Sequence, residues 1–247
     1  MAIAFDLDGT IYFGDQLSLG VLELMSLLQQ QKIKVFYFTN NSSRSRKQIL
    51  EKLLQFGLQV ELPYVYSSSY AATVYAKSKN FKKIFCCGTK DFCNQFTEEG
   101  LNLVSGNDVA DAVFIGLDNE FSYKKLAKVL EVIISSNCPI IACNIDKNYP
   151  IEDGKIMPGC GPIVAAIENA SERKINFIVG KPNQFMMQML VNDHQINRDE
   201  ILVVGDSYES DVMMAKNFGC KSVLISDEEK QGLPTIKFIR DLIKIFS

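Results

Sequence analysis

Four times in this chain a strand-length apolar run stops at a reactive polar residue. Ile3–Phe5 ends at Asp6, Val35–Phe38 at Thr39, Phe177–Val179 at Gly180-Lys181, and Ile201–Val204 at Gly205-Asp206. Helically spaced segments lie between the runs. Leu19–Gln31 carries Val21, Leu22, Met25 and Leu28 on one face, and Ser45–Phe56 turns Ile49, Leu53 and Phe56 inward, with Gly57 as C-cap. Strands alternating with helices predict an α/β fold with a parallel sheet, because a helical crossover brings each strand back in the same direction. Ligands of such sheets bind beyond the carboxyl ends of the strands. The four polar strand ends are therefore expected along one edge.

Between these blocks the same alternation restarts. Ile84–Cys87 precedes a helix at Lys90–Glu99, Val113–Ile115 precedes another at Tyr123–Ile134, and Ile140–Cys143 leads into Asn144–Gly161. That last stretch reads as loop, with Pro150, Pro158, Gly159 and Gly161, before a helix at Pro162–Ala170. None of the reactive strand ends falls here. The expectation is a split core domain, residues 1–81 plus 176–247, carrying an inserted domain at 82–175. A length of 247 residues accommodates two such units. The stripe Ile236, Ile239, Leu242, Ile243 and Phe246 predicts a closing helix over Pro234–Phe246.

Composition narrows the chemistry. His194 is the only histidine, so a His-rich metal site is excluded and any Ser-His or Cys-His mechanism would have to run through that residue. It sits in the polar stretch Asn192–Gln195, where a surface role is expected. Seven cysteines, with no C-x-x-C pair, predict reduced thiols and a cytoplasmic protein. A net charge of −3 argues against a nucleic-acid partner. No apolar run approaches membrane-spanning length, and Met1–Phe5 leads directly into Asp6, so neither a membrane partner nor a secretory leader is expected. Gly159-Cys160-Gly161-Pro162-Ile163-Val164 imitates a dinucleotide motif but lacks the last glycine and a preceding strand.

The strand ends gather Asp6, Asp8, Asp206 and Asp211 with Thr39 and Lys181. Four carboxylates in one crevice repel one another unless a cation intervenes. With oxygen donors available and neither histidine nor paired thiolates, Mg2+ is expected rather than zinc. A hard cation beside a carboxylate nucleophile, a hydroxyl and a lysine suits phosphoryl transfer. Asn144 and Asp146 follow a strand of the inserted block and could reach the crevice, or simply shape a turn.

Asp6-Leu7-Asp8-Gly9-Thr10, Thr39, Lys181 and Gly205-Asp206-Ser207-Tyr208-Glu209-Ser210-Asp211 resemble the four ordered motifs of the haloacid dehalogenase (HAD) superfamily. Thr39–Ser45, the large insertion, and Pro158–Gly161 leading to Gly180-Lys181-Pro182 are similar to its NagD-like, p-nitrophenylphosphatase-like branch. The resemblance implies a Rossmann-like core with an α/β cap and a Mg2+-dependent phosphatase of small phosphomonoesters. On that likeness, Asp6 would be the nucleophile and Asp8 the acid/base. Thr39 and Lys181, with backbone N–H groups near Asn40, would hold the phosphoryl oxygens. Asp6, the Asp8 carbonyl and Asp206 would ligate Mg2+, Asp211 would support that shell, and Asn144 and Asp146 would bear on specificity. A homodimer is a family-level expectation. Two other readings compete: a non-catalytic phospho-ligand-binding scaffold, and a 2-haloacid dehalogenase, which would leave Asp8 and the Asp206/Asp211 pair without a purpose.

Overall fold

The computed structural model describes residues 1–105, 108–151 and 155–246. Two parallel sheets organise it. The first has six strands in the order Thr235–Ile236, Lys221–Ile225, Ile201–Gly205, Ala2–Asp6, Lys34–Thr39, Val65–Ser67. The strand Ala2–Asp6 is buried along its whole length. Its alternate residues feed opposite layers, as a period of two requires. Ala2 and Ala4 join Phe36, Phe38 and Val203 against Met186, Met187 and Leu190 of the helix Phe185–His194. Ile3 and Phe5 join Tyr37, Val65 and Val204 against Val21, Leu24 and Leu28 of the helix Val21–Gln30. Each fully buried Val, Leu, Ile, Phe or Met side chain among these contributes about 1.5–3 kcal/mol.

Register fixes the functional edge. Phe5 lies opposite both Val204 and Tyr37, and Thr39 opposite Ser67, so Asp6, Thr39 and Gly205 end their strands together. The connections leave the central strand on opposite sides, and the crevice opens at that reversal.

The second sheet has five parallel strands in the order Phe177–Ile178, Ile140–Ala142, Ala112–Ile115, Lys83–Cys87, Asn102–Leu103. One apolar cluster runs between the sheets, joining Phe38 and Tyr66 to Phe92, Phe96 and Phe114. Three sequence expectations change here. Phe177–Ile178 pairs with Ile141 and Ala142, not with the first sheet, so the chain returns to that sheet only beyond Ile178. The segment Asn144–Gly161 contains an antiparallel pair, Asn148–Pro150 with Ile156–Pro158. The C-terminal stripe begins as the edge strand Thr235–Ile236, whose residues sit opposite Leu224 and Ile225, and only Ile239–Phe246 is helical. Among the described residues no helix is long and apolar enough to cross a membrane.

Candidate active site

The turn after the first strand is built to bring carboxylates together. Gly9 adopts φ +94°, and a Cβ there would lie 2.3 Å from Asp206 Oδ2, so only glycine admits the Asp206 carboxylate at that distance. Gly205 plays the same part on the neighbouring strand, where a Cβ would stand 2.2 Å from the Asp211 side chain. After Gly205 the chain turns through a π-helical segment, Tyr208–Val212, which carries Asp211 inward. Carboxylate oxygens of Asp6, Asp206 and Asp211 consequently lie within 4.8 Å of one another.

Lys181 is buried between two of these acids. Its Nζ donates to Asp6 Oδ1 and, at 2.6 Å, to Asp211 Oδ1. Burial alone would lower its pKa, but the charges of Asp211 and Asp6 outweigh that and raise it, so Lys181 is a permanent cation. Asp211 Oδ2 accepts the Ser207 N–H at 3.1 Å, which commits both of its oxygens. Asp8 stands exposed at the crevice floor, with Oδ2 accepting from Thr39 Oγ1 at 3.2 Å and facing the Tyr12 hydroxyl at 3.5 Å. Crowding by the crevice walls still raises its pKa, which suits a group that must start as an acid.

One lysine does not neutralise three acids. Burial, then repulsion from Asp211 and Asp206, raises Asp6 despite Lys181, and burial with Asp211 pushes Asp206 up to about 6. Asp6 Oδ2 is buried with no hydrogen-bond partner. An orphaned carboxylate oxygen beside two more carboxylates is the donor set of a hard divalent cation, and the residues fit Mg2+. The Asp8 carboxylate is outside this group.

A cavity of about 900 Å3 opens above the cluster, lined by the core turn residues and by Asn144–Tyr149 of the second block. The loop after Thr39 joins the two. The Asn40 amide donates to Asp146 Oδ2 at 2.9 Å and to the Lys181 carbonyl at 3.0 Å, and its oxygen accepts the Lys181 N–H at 2.8 Å. The Asn144 amide donates to the Asn40 carbonyl at 2.7 Å and its oxygen receives the Asp146 N–H. Further along, Ser42 Oγ accepts from Leu117 N–H, Thr89 Oγ1 donates to the Ser43 carbonyl, and Gln48 Nε2 donates to Asp91. Asn40, Asn144 and Asp146 thus form one bonded chain from crevice floor to wall.

Sequence reasoning missed Lys52 and Tyr12. Lys52 sits on the helix Arg46–Gln55, which Ser45 and Gln48 start with a reciprocal capping box. Its Nζ reaches the Gly14 carbonyl at 2.7 Å and lies 4.3 Å from the Tyr12 ring centre, fixing the small hairpin Tyr12–Phe13/Gln16–Leu17 over Asp8. No local pattern marks this pairing. His194 packs 4.7 Å from Phe36 and does not line the cavity.

A haloacid dehalogenase-like hydrolase family model matches residues 3–102, and a HAD-hydrolase-like model matches 178–235. The chain is 31% identical to the sugar-phosphatase AraL of Bacillus subtilis, over 98% of this chain and 90% of that protein. It is also 31% identical to phosphoglycolate phosphatase 1A, chloroplastic, of Arabidopsis thaliana, over 90% of this chain and 67% of the relative. Among solved structures, the 4-nitrophenylphosphatase of Thermotoga maritima superimposes with a TM-score of 0.91 at 28% identity, covering 100% of this chain and 97% of that one.

Proposed function

The chain belongs to the haloacid dehalogenase-like hydrolases, in their NagD-like, p-nitrophenylphosphatase-like branch, and is a phosphatase of that type. From that premise we propose that it hydrolyses small phosphorylated metabolites with Mg2+ through an aspartyl-phosphate on Asp6. The observation that carries this reading is Asp6 itself: one oxygen is clamped by Lys181 and the other is buried without a partner, in a cluster with the carboxylates of Asp206 and Asp211. A structural aspartate would have both oxygens satisfied. The relatives' names, sugar and phosphoglycolate, support a small substrate, as does the size of the cavity.

In this reading residues 1–81, together with the chain beyond Ile178, form the catalytic core, and the second sheet forms the cap. Asp6, Asp206 and the Asp8 carbonyl would hold Mg2+, while Asp211 orients Lys181. When bound, Mg2+ would supply positive charge that offsets the negative charge of the phosphoryl group and its surrounding carboxylates. Asp6 attacks phosphorus in line as the ester P–O bond breaks, and Asp8 delivers its proton to the leaving oxygen. Thr39 Oγ1 and Lys181 Nζ, with the backbone N–H of Asn40, steady the equatorial oxygens. Asp8, now a carboxylate, takes a proton from the water that attacks the aspartyl-phosphate, releasing phosphate and regenerating Asp6.

The test is hydrolysis of p-nitrophenyl phosphate by the intact protein. Activity is expected with Mg2+, absent in chelator, and reduced by at least about 10³-fold in Asp6→Asn with the circular dichroism spectrum preserved. Full activity in chelator would refute the metal, and a retained rate in Asp6→Asn the nucleophile.

A further inference from the structure

Asn144 lines the cavity but is buried, and both ends of its amide are engaged. Nδ2 donates to the Asn40 carbonyl at 2.7 Å, and Oδ1 accepts the Asp146 N–H at 3.1 Å. The Asn40 carbonyl takes a second donor at the same distance, the hydroxyl of Ser68. Ser68 opens the helix Ser68–Ser78; it is buried and does not line the cavity. Two donors use both lone pairs of that carbonyl, so one peptide plane is held by the inserted block and by the core at once. Gly180 makes room for the junction. A Cβ there would lie 2.4 Å from the Cys143 carbonyl oxygen, 2.5 Å from Asn40 Oδ1 and 3.1 Å from Ser68 Cβ.

The other side of the same peptide serves the reacting end. A planar peptide turns as a unit, so fixing the Asn40 carbonyl fixes the Asn41 N–H. That N–H donates to Thr39 Oγ1 at 2.9 Å, and Thr39 Oγ1 donates its one proton to Asp8 Oδ2 at 3.2 Å. Each bond in such a chain polarises the next, so a doubly bonded carbonyl strengthens the Asn41 donor. Thr39 is also closer to Asp8 than the Tyr12 hydroxyl is, at 3.5 Å. We propose that Asn144 is a positioning residue for the proton-transfer step: with Ser68 it holds the Asn40–Asn41 peptide, and through Thr39 that peptide fixes the Asp8 carboxyl on the leaving oxygen. This rests on the phosphatase reading above. A residue acting in this way touches no substrate. Its contribution falls on kcat, is common to all esters of one leaving-group class, and grows with the need of the departing oxygen for a proton.

The experiment measures kcat and KM at fixed Mg2+ for ethyl phosphate, glycerol 3-phosphate and ribose 5-phosphate, whose alcohols need a proton to leave, and for p-nitrophenyl phosphate, whose phenolate does not. In Asn144→Ala, kcat on the three alkyl esters is expected to fall by one common factor of about 10- to 100-fold with KM held within about twofold, while kcat/KM for p-nitrophenyl phosphate falls by about threefold at most. Ser68→Ala is expected to show the same signature, which no lost substrate contact can produce there, and it decides the matter should Asn144→Ala fail to fold. Equal losses for alkyl and nitrophenyl esters, losses that differ among the alkyl esters through KM, or an unchanged alkyl-to-nitrophenyl ratio in Ser68→Ala each overturn the assignment. So does a wild type that hydrolyses p-nitrophenyl phosphate and none of the alkyl esters. Failure of the wild type to release phosphate from any of the four overturns the phosphatase reading itself.

Discussion

Replacing Lys181 by methionine keeps the volume of the side chain and deletes its charge. At 2.6 Å and an effective dielectric constant of about 20, the attraction to Asp211 is roughly 6 kcal/mol, with a comparable share from Asp6. Stripping water from the ammonium offsets much of this in the native protein. The net loss on removing one partner of a buried pair is about 3–5 kcal/mol. Lys181→Met should reach the upper end, about 5 kcal/mol, because three clustered carboxylates then face one another. For a chain of this size that corresponds to a melting temperature lowered by about 10–20 °C. The sign of the pH dependence follows from the same acids. Asp6 and Asp206 are raised above their unfolded values, by burial first, and both rise further without Lys181. A raised carboxyl stabilises the fold below its unfolded pKa and loses that contribution as pH rises through the folded value, about 6 for Asp206 in the wild type. The deficit of the variant should therefore be small near pH 5 and full near pH 8, read by urea unfolding without divalent metal. A deficit below about 1 kcal/mol near pH 8, or one equal at both pH values, would refute the account.

Asp8→Asn should slow esters with poor leaving groups by about 10²–10⁴-fold and p-nitrophenyl phosphate far less in its first step, since nitrophenolate departs without a proton. Equal losses across leaving groups would exclude the acid role. Gly9→Ala forces a Cβ to 2.3 Å from Asp206 Oδ2 at φ +94°, so the Mg2+ concentration for half-maximal activity should rise by about tenfold or more and stability fall by about 1–3 kcal/mol. An unaltered Mg2+ titration would show that Asp206 is not a ligand. Because Mg2+ must displace the proton that Asp206 holds below about pH 6, its affinity by calorimetry should weaken as pH falls through that value. A flat profile between about pH 5 and pH 7 would remove Asp206 from the donor set.

The edge that holds the candidate site was legible because its cues are local: an apolar run, then Asp6, Thr39 or Gly205-Asp206, ends three neighbouring parallel strands. What needed the structure depends on contacts far apart in sequence. Two residues, Phe177 and Ile178, carry no mark of which sheet will accept them, and their partners Ile141 and Ala142 decide it. The resemblance assigns phosphate binding to backbone N–H groups near Asn40; its side-chain amide spans to Lys181 and Asp146, a link that no spacing rule joins across residues that distant. Lys52 lies at a position that no local pattern singles out. Only the crossing of the Arg46–Gln55 helix over the hairpin at Gly14 turns Lys52 inward.

The bonded loop running from Asn40 to Gln48 bears on how such a protein can diversify. Its side chains and carbonyls meet Asp146, Thr89, Leu117 and Asp91, four separate points on the inserted block. The insertion is therefore no interchangeable cartridge. Transplanting it from a relative would break that stitching at once, and Thr39, the first residue before it, would lose its bearing on Asp8. New substrates are more accessible through single changes on the cavity wall, which leave every stitch in place.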